Sequence, residues 1–200
     1  MTAADGLRAG DAYGLREPAP ERDSASLSLG DADLARLARS GDRVAFSELY
    51  ARYARAVHGV LLAAGPTGEA NDLVQEVFLL ALRSIAQLEE PERVGAWFFT
   101  IARNRARDAL RHRPRTAELA GDVEPAARET DEDEPEDARA ALAAIRSLPD
   151  AYRETLMLRL VEGLTGPEIA DKTGLTHGSV RVNLHRGMKL LRERLARGGN

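Results

Sequence analysis

A strongly acidic segment divides this chain and limits the folds that its 200 residues can adopt. Residues 117–139 hold ten Asp and Glu against two Arg, together with two prolines and few large apolar side chains. A segment of this composition cannot bury enough apolar surface to offset the entropy lost on folding. We therefore interpret residues 116–137 as a flexible, solvated linker and expect two small domains rather than one large core.

The two flanking parts show helical periodicity and no alternating strand pattern. Apolar residues recur at three- and four-residue spacing, and glycine or proline interrupts each stripe. The stripes of the first part include Phe46, Leu49, Tyr53, Val57, Leu73, Val77, Phe78 and Ala81. The prediction is an all-α fold with a disordered tail over residues 1–30, one helical domain over residues 31–115 and another over residues 138–197.

Composition narrows the functional classes. The chain has no cysteine, which excludes disulfides, thiolate metal sites and a catalytic thiol. The N-terminal residues are polar and do not resemble a secretory signal. No apolar run approaches the roughly 20 residues that span a bilayer. We expect a cytoplasmic protein without membrane insertion.

The net charge of −4 conceals an uneven distribution. Residues 117–139 carry −8, which leaves +4 on the rest of the chain. A polyanion responds to the local arrangement of charge and not to its sum. The clustered positive charge outside the linker is compatible with a nucleic-acid partner.

A helix-turn-helix is predicted near the C-terminus. Thr165 and Glu168 have the spacing of a capping box, which satisfies two backbone donors at a helix start. Gly174 lies where a left-handed residue ends that helix. The spacing from Ala170 through Gly174 to Val180 lets two helices cross closely around a tight turn.

The second helix of this unit is basic. Thr176 is expected to cap it, and Leu175 to plug the turn before it. From Lys172 to Arg197 the sequence has seven Lys or Arg and one acid, Glu193. A merely solvated helical hairpin normally mixes charges of both signs, so this bias favours DNA binding.

A second basic face precedes the linker. At 100° per residue, Thr100, Arg103, Asn104, Arg107 and Arg111 share one arc, with an apolar side largely opposite. Arginine and asparagine on one face offer phosphate contacts together with hydrogen bonds to base edges. An ordinary charged surface helix is the alternative. The apolar side is formed by Val94, Trp97, Phe98 and Ile101, and Trp97 by itself is more typical of a core than of a base-stacking platform.

Three segments together resemble the extracytoplasmic-function group of the sigma-70 family. They are NDLVQEVFLLAL (71–82), AWFFTIARNRARDALRHRPR (96–115) and GLTGPEIADKTGLTHGSVRVNLHRGMKLLRERL (163–195), similar to the family's regions 2.2, 2.3–2.4 and 4.2. The resemblance covers residues 31 to 197 in the family's order. It implies a sigma factor that binds core RNA polymerase, directs initiation by recognising the −35 and −10 promoter elements, and aids melting.

The resemblance also implies partners and contact residues. A helix face would dock on the clamp helices of the largest polymerase subunit through Asp72, Leu73, Gln75 and Glu76. The β flap would hold region 4, and an anti-sigma factor would hold the chain silent. The loop 90–95 and the helix after it would bind the opened −10 element through Trp97, Thr100, Arg103, Asn104, Arg107 and Arg111. The last helix would read the −35 element through Thr176, Ser179, Arg181, Val182, His185, Arg186 and Lys189.

The sequence departs from the family's pattern at a few positions. Leu82 stands where the family often has Trp, and Val182 and Asn183 stand where Ser and Arg are common. Val182 cannot donate a hydrogen bond, so its base contact would be apolar, to a thymine methyl. We also expect the two domains of the isolated chain to move freely about the linker.

Two other functions compete with this interpretation. One is a helix-turn-helix regulator that acts without polymerase. The other is an enzyme acting on nucleic acid, which needs fixed carboxylates for a metal or for acid–base chemistry. The acids cluster in the linker, and the four histidines (His58, His112, His177 and His185) lack ligand spacing. No catalytic residue, metal or cofactor is expected.

Overall fold

The computed structural model describes residues 29–66, 68–112 and 136–198. Over these ranges the chain is helical and has no strand, which confirms the all-α prediction. The predicted tail and linker lie almost entirely outside the described residues. The helices are α1 Asp31–Arg39, α2 Arg43–Ala64, α3 Ala70–Ser84, α4 Val94–His112, α5 Glu136–Arg146, α6 Asp150–Leu156, α7 Gly166–Thr173 and α8 His177–Gly198.

Local side-chain chemistry sets several of these helix ends. The Asp42 carboxylate accepts hydrogen bonds from the backbone N–H groups of Val44 and Ala45 at the start of α2, at 2.8 and 3.1 Å. The capping box of Thr165 and Glu168 starts α7 as predicted. Its hydrogen bonds hold the pKa of the Glu168 carboxyl below its usual range.

An aromatic cluster joins the three long helices of the first domain. Phe78 of α3 is its centre, with the ring centroids of Phe46, Tyr50 and Phe98 at 6.5, 4.6 and 5.2 Å. These edge-on and tilted contacts add to the free energy gained by burying the rings. The cluster fixes α3 and α4 side by side against α2.

The second half of the chain packs against the first in this structure, and the sequence did not predict that contact. Leu158, Ile169 and Val180 belong to the same buried cluster as the core of the first domain. A second cluster places Ala63 of α2 among Ile145, Leu148, Leu156, Met157 and Leu191. Helix α2 therefore contributes to both cores.

One helix in the second half has an irregular end, and one local prediction there is wrong. Residues Met157–Val161 form a π-helical turn. The wider turn changes the register, so Met157 and Leu158 are buried while Leu160 and Val161 are 46% and 40% exposed. Leu175 does not plug the turn before α8, since it is 40% exposed and its backbone N–H donates to the Thr173 hydroxyl.

The turn between α7 and α8 otherwise has the predicted geometry. Gly174 ends α7 in the left-handed region, at φ 73°. The Thr176 hydroxyl accepts a hydrogen bond from the Ser179 backbone N–H at 3.1 Å, which caps α8. No helix in the described part of the chain is both long enough and apolar enough to cross a membrane.

The capping box makes a testable contribution to stability. Thr165→Ala should lower the free energy of unfolding by about 1 kcal/mol, because the Glu168 backbone N–H loses its acceptor at the helix start. Denaturant unfolding followed by circular dichroism measures the change. Thr165→Ser keeps the hydroxyl and is the matched control. Equal stability of Thr165→Ala and the unmodified chain would contradict the assignment.

Candidate nucleic-acid interface

The exposed face of α3 combines acidic, polar and apolar side chains. Asp72 and Gln75 are exposed, as the helical projection predicted. Leu79 and Leu82 lie on the same face, 54% and 48% exposed. Exposed leucines beside an acid form an amphipathic strip suited to another protein and not to DNA.

Leu73 does not lie on this face. Its side chain is 3% exposed and packs in the core of the first domain. The prediction that Leu73 contacts a partner directly is therefore corrected: it anchors α3 from inside. Sequence reasoning missed Leu79, although it stands seven residues after Asp72 and so on the same side of a helix.

Glu76 links this face to the neighbouring helix. Its carboxylate accepts hydrogen bonds from the Arg105 guanidinium of α4. The side chains of Glu76 and Arg105 are 44% and 28% exposed. Glu76 is thus accessible at the edge of the α3 face but already holds a partner within the first domain.

Four of the predicted residues on α4, namely Thr100, Asn104, Arg107 and Arg111, are exposed and close together. Thr100, Asn104 and Arg107 face solvent at one-turn intervals. The Arg107 guanidinium donates to the Asn104 amide oxygen at 3.0 Å, and Arg111, one turn further, pairs with Asp108. The Thr100 hydroxyl donates back to the Ala96 carbonyl oxygen at 2.9 Å. This strip presents a guanidinium group and a side-chain amide that can bind a nucleic-acid strand.

Arg103 is the exception on this helix. Its guanidinium donates two hydrogen bonds to the Glu154 carboxylate of α6, at 2.9 and 2.7 Å. Glu154 raises the pKa of Arg103, chiefly through these hydrogen bonds, against the opposing effect of burial. The structure therefore groups Arg103 with the contact between the two halves of the chain instead of with the exposed strip.

The apolar side of α4 is wider than predicted. Val94 and Phe98 are buried as expected, and Phe99 is fully buried beside Tyr53, with ring centroids 6.4 Å apart. Trp97 and Ile101 are only partly buried. The two-sided projection missed Phe99, which packs against Tyr53 of α2.

An open cavity of about 320 Å³ lies where α4 meets the loop before it. Trp97 forms part of its wall and contacts Phe98 at a centroid distance of 5.3 Å. One side of the Trp97 ring thus packs in the core, and the other side lines the cavity. The sequence indicated either a core or a base-stacking position for this residue. The cavity is lined by Gln87, Leu88, Glu89, Glu90, Arg93, Ala96, Trp97 and Thr100.

Helix α8 presents its predicted basic face to solvent. Its exposed residues are Ser179, Arg181, Val182, His185, Arg186 and Lys189. Within the described ranges, no ion pair occupies Arg181, Arg186 or Lys189, and Val180 and Leu191 are buried beneath them. Thr176 is exposed, but its hydroxyl caps the helix and lies 2.8 Å from the Ser179 hydroxyl. Its role is positioning the helix start.

Acidic and histidine side chains do not gather into a metal site. Within the residues that the structure describes, no group of three or more His, Asp or Glu is placed to hold an ion. Asp31 is engaged by Tyr53 and Arg52, at 2.6 and 2.7 Å. Burial opposes ionisation of Asp31, but these hydrogen bonds prevail and lower its pKa.

Comparisons with known proteins match both halves of the chain. The model of Sigma-70 region 2 matches residues 49–116, and the model of Sigma-70, region 4 matches residues 138–191. The RNA polymerase sigma factor CarQ of Myxococcus xanthus is 38% identical over 161 residues, which cover 78% of this chain and 92% of the relative. The ECF RNA polymerase sigma factor RpoE of Cereibacter sphaeroides is 33% identical over 78% of this chain and 88% of its own length.

One solved structure supports the same likeness. CnrH, in complex with the cytosolic domain of CnrY, is 26% identical to this chain with a TM-score of 0.55. The alignment covers 83% of this chain and 97% of that protein.

The exposed strip of α4 predicts a salt-dependent contact. Arg107→Ala should weaken binding of a mixed-sequence single-stranded oligonucleotide, because one phosphate partner is lost. The slope of log K against log salt should fall by about 0.7, the value for one charge on a single strand. Fluorescence anisotropy across a salt series measures both. Arg83→Ala, on α3, is the matched control, and equal slopes in both variants would exclude a phosphate contact at Arg107.

Proposed function

This chain belongs to the extracytoplasmic-function group of the sigma-70 family, and we propose that α3, α4 and α8 carry its separate contacts. As a sigma factor it binds core RNA polymerase and directs initiation at promoters with −35 and −10 elements. The first domain is the family's region 2 and the second is its region 4. What remains to be assigned is which residues make each contact.

The polymerase contact is assigned to the exposed face of α3. Asp72, Gln75 and Glu76 provide polar and charged groups, and Leu79 and Leu82 provide an apolar strip beside them. Apolar residues surrounded by polar groups are the usual anatomy of a protein interface. The proposed partner is the clamp helices of the largest polymerase subunit. Region 4 is proposed to contact the β flap.

This α3 face is the observation that carries the proposal. A helix-turn-helix regulator acting without polymerase needs α8 but has no use for a second domain with an exposed acidic and apolar strip. The family match over residues 49–116 agrees with the sigma-factor function and gives no support to that alternative. Both domains are therefore needed to explain the chain.

The −10 contact is assigned to α4 and the adjoining cavity. Asn104 and Arg107 provide hydrogen-bond donors along the exposed strip. Trp97 offers an aromatic face at the cavity wall, where an unstacked base can lie. Unstacking costs a few kcal/mol for each base, and contacts of this kind offset that cost.

The −35 contact is assigned to α8 in the major groove. Arg181 is the proposed guanine contact, since its guanidinium matches the O6 and N7 acceptors together. Val182, 44% exposed, is proposed to meet a thymine methyl. His185, Arg186 and Lys189 lie further along the helix and are proposed to contact the backbone or flanking bases.

A protein that holds this chain silent is a further proposed partner. CnrH was solved with the cytosolic domain of a second protein bound to it. By analogy we propose an anti-sigma factor that covers the α3 or α4 surfaces. We also infer a cytoplasmic location and no catalytic activity of its own, because transcription with core polymerase requires neither export nor chemistry by this chain.

The docking assignment predicts loss of polymerase binding. Asp72→Lys combined with Leu79→Asp should weaken association with core polymerase by about tenfold or more, because it reverses a charge and places a carboxylate in the apolar strip. Size-exclusion co-elution with core polymerase measures association, and circular dichroism checks helicity. Val44→Asp, at another exposed apolar residue of the same domain, should bind normally. Normal association of the double variant would remove α3 from the interface.

The −35 assignment separates two kinds of contact. Arg181→Ala should cost about 1–3 kcal/mol of binding free energy and relax preference at one base pair. Lys189→Ala should weaken all sequences alike and lower the salt slope by about one unit. Binding to a set of single-base −35 variants with core polymerase present measures both. If Arg181→Ala weakens every variant equally, Arg181 contacts phosphate and does not read a base.

A further inference from the structure

Glu76 of α3 is held through only one of its two carboxylate oxygens. The Nε atom of Arg105 donates a hydrogen bond to Oε2, and Nη2 of the same guanidinium approaches that oxygen. Within the residues that the structure describes, Oε1 accepts no hydrogen bond. The Glu76 side chain is 44% exposed on the α3 face, so Oε1 is left for a donor from outside the chain.

The pair between Arg103 and Glu154 shows the alternative arrangement. There the guanidinium donates to both carboxylate oxygens, at 2.9 and 2.7 Å. Such a bidentate pair engages both oxygens of the acid, whereas the one-sided pair of Glu76 keeps one of them without an internal donor. Of these two carboxylates, that of Glu76 is the one prepared to accept from a third group.

The charges around Arg105 direct it to Glu76. Asp108 lies three residues further along α4, a spacing at which an acid and an arginine can pair on one helix. The Arg111 guanidinium already donates to the Asp108 carboxylate. This hydrogen bond is the main cause of the lowered pKa of Asp108, to which the charge of Arg105 also contributes. Arg105 therefore directs its donors across to α3 instead of along its own helix.

The backbone beneath the pair is firmly placed. Ala106, next to Arg105, is fully buried, and Phe78 of α3 contacts Phe98 of α4 with ring centroids 5.2 Å apart. The Arg105 side chain is 28% exposed, so its stem is largely covered while its guanidinium reaches the surface. A donor that extends from such a fixed base restricts the rotamers of the carboxylate that it holds.

Asp72 and Gln75 lie on the same face without such a support. Both side chains are exposed, and within the described ranges no ion pair holds Asp72. A flexible side chain loses rotamer freedom when a partner immobilises it, and this loss weakens binding. Glu76 has already lost that freedom through Arg105, so a partner that binds it immobilises less.

The positive charge of Arg105 acts in the opposite direction, because it reduces the attraction of Glu76 for a basic partner. Both side chains are partly exposed, and charge interactions between exposed groups are weak. Immobilising a long side chain on binding is the larger effect. Orientation of the carboxylate therefore outweighs the loss of attraction.

We propose that Arg105 is a positioning residue for polymerase docking, which orients the Glu76 carboxylate so that Oε1 accepts from a basic side chain of core polymerase. Although Arg105 lies on the same helix as the −10 residues, it serves the α3 face and does not contact the DNA strand. The inference rests on the proposed function of α3 and adds to that surface a residue from another helix.

Association of the full chain with core RNA polymerase gives the first test. Arg105→Ala should weaken it about fivefold, the effect of immobilising one further side chain on binding. Arg36→Ala removes an arginine that pairs with Asp33 and Glu92 outside the α3 face, and it should leave association unchanged. Titration of the fluorescently labelled chain with core polymerase measures both. Normal association of Arg105→Ala would overturn the proposal.

A double-mutant cycle shows whether Arg105 acts through Glu76. Glu76→Gln removes the charge but keeps a side chain of the same shape, and it should also weaken association. Adding Arg105→Ala to Glu76→Gln should then weaken association no further. If the two effects multiply instead, Arg105 acts by another route and the positioning role is wrong.

Exchange of the two charges separates positioning from a merely structural role. Glu76→Arg combined with Arg105→Glu restores an ion pair between α3 and α4 but presents a guanidinium to polymerase. The midpoint of thermal unfolding should return to that of the unmodified chain, while association should stay as weak as in Glu76→Arg alone. Recovery of association would mean that the pair only joins two helices, and the proposal would fail.

Binding of a mixed-sequence single-stranded oligonucleotide tests the absence of a DNA contact. Arg105→Ala should leave the affinity and its salt dependence unchanged, because Arg105 donates to Glu76 and not to phosphate. A fall of about 0.7 in the slope of log K against log salt would identify Arg105 as a phosphate contact. That result would overturn the proposal.

The variant with Asp72→Lys and Leu79→Asp distinguishes failure of this inference from failure of the proposed function. If it loses polymerase binding while Arg105→Ala binds normally, α3 is the docking face and only the positioning role is wrong. If it binds normally, the assignment of α3 fails and the role of Arg105 fails with it.

Discussion

Helix α2 is shared by two hydrophobic cores, and the position of every functional surface depends on it. Its first turns pack Phe46 and Tyr53 against α3 and α4, while Ala63 near its end lies in the core of region 4. Such a helix must be apolar over more than one stripe, and its side chains must be small where two elements approach. The glycine at position 59 meets that second requirement.

Helix α2 also brings two kinds of contact together, apolar packing within region 2 and more polar contacts with region 4. The aromatic cluster around Phe78 fixes α3 and α4 on α2, so the polymerase-facing and −10-facing surfaces keep a constant relative position. The Glu76 and Arg105 pair joins those surfaces directly. The contacts made by region 4 are more polar and include a buried carboxylate, Glu162. Tight packing within region 2 therefore adjoins a more polar contact with region 4.

The sequence predicted the parts of this structure that local patterns determine. Periodicity located the helices, and the capping box at Thr165 with the left-handed Gly174 located the helix-turn-helix. The packing of region 4 on region 2 could not be predicted, because the residues that contact one another are far apart in sequence. Lys172 and Arg52, for example, are separated by 120 residues. Each charge in such a pair resembles a solvated residue when taken alone. Leu73 was misplaced for a related reason, since a family motif does not distinguish a contact residue from the core residue beside it.

The glycine at position 59 has a consequence for how such a protein can evolve. Any glycine codon becomes an alanine codon through one base change, and even the methyl group of alanine would lie within 3 Å of Glu162. A single inherited substitution thus disturbs the packing of region 4 on region 2 without altering any residue proposed to touch polymerase or DNA. Selection on the packing of the two domains and selection on promoter choice then act on different positions of the chain.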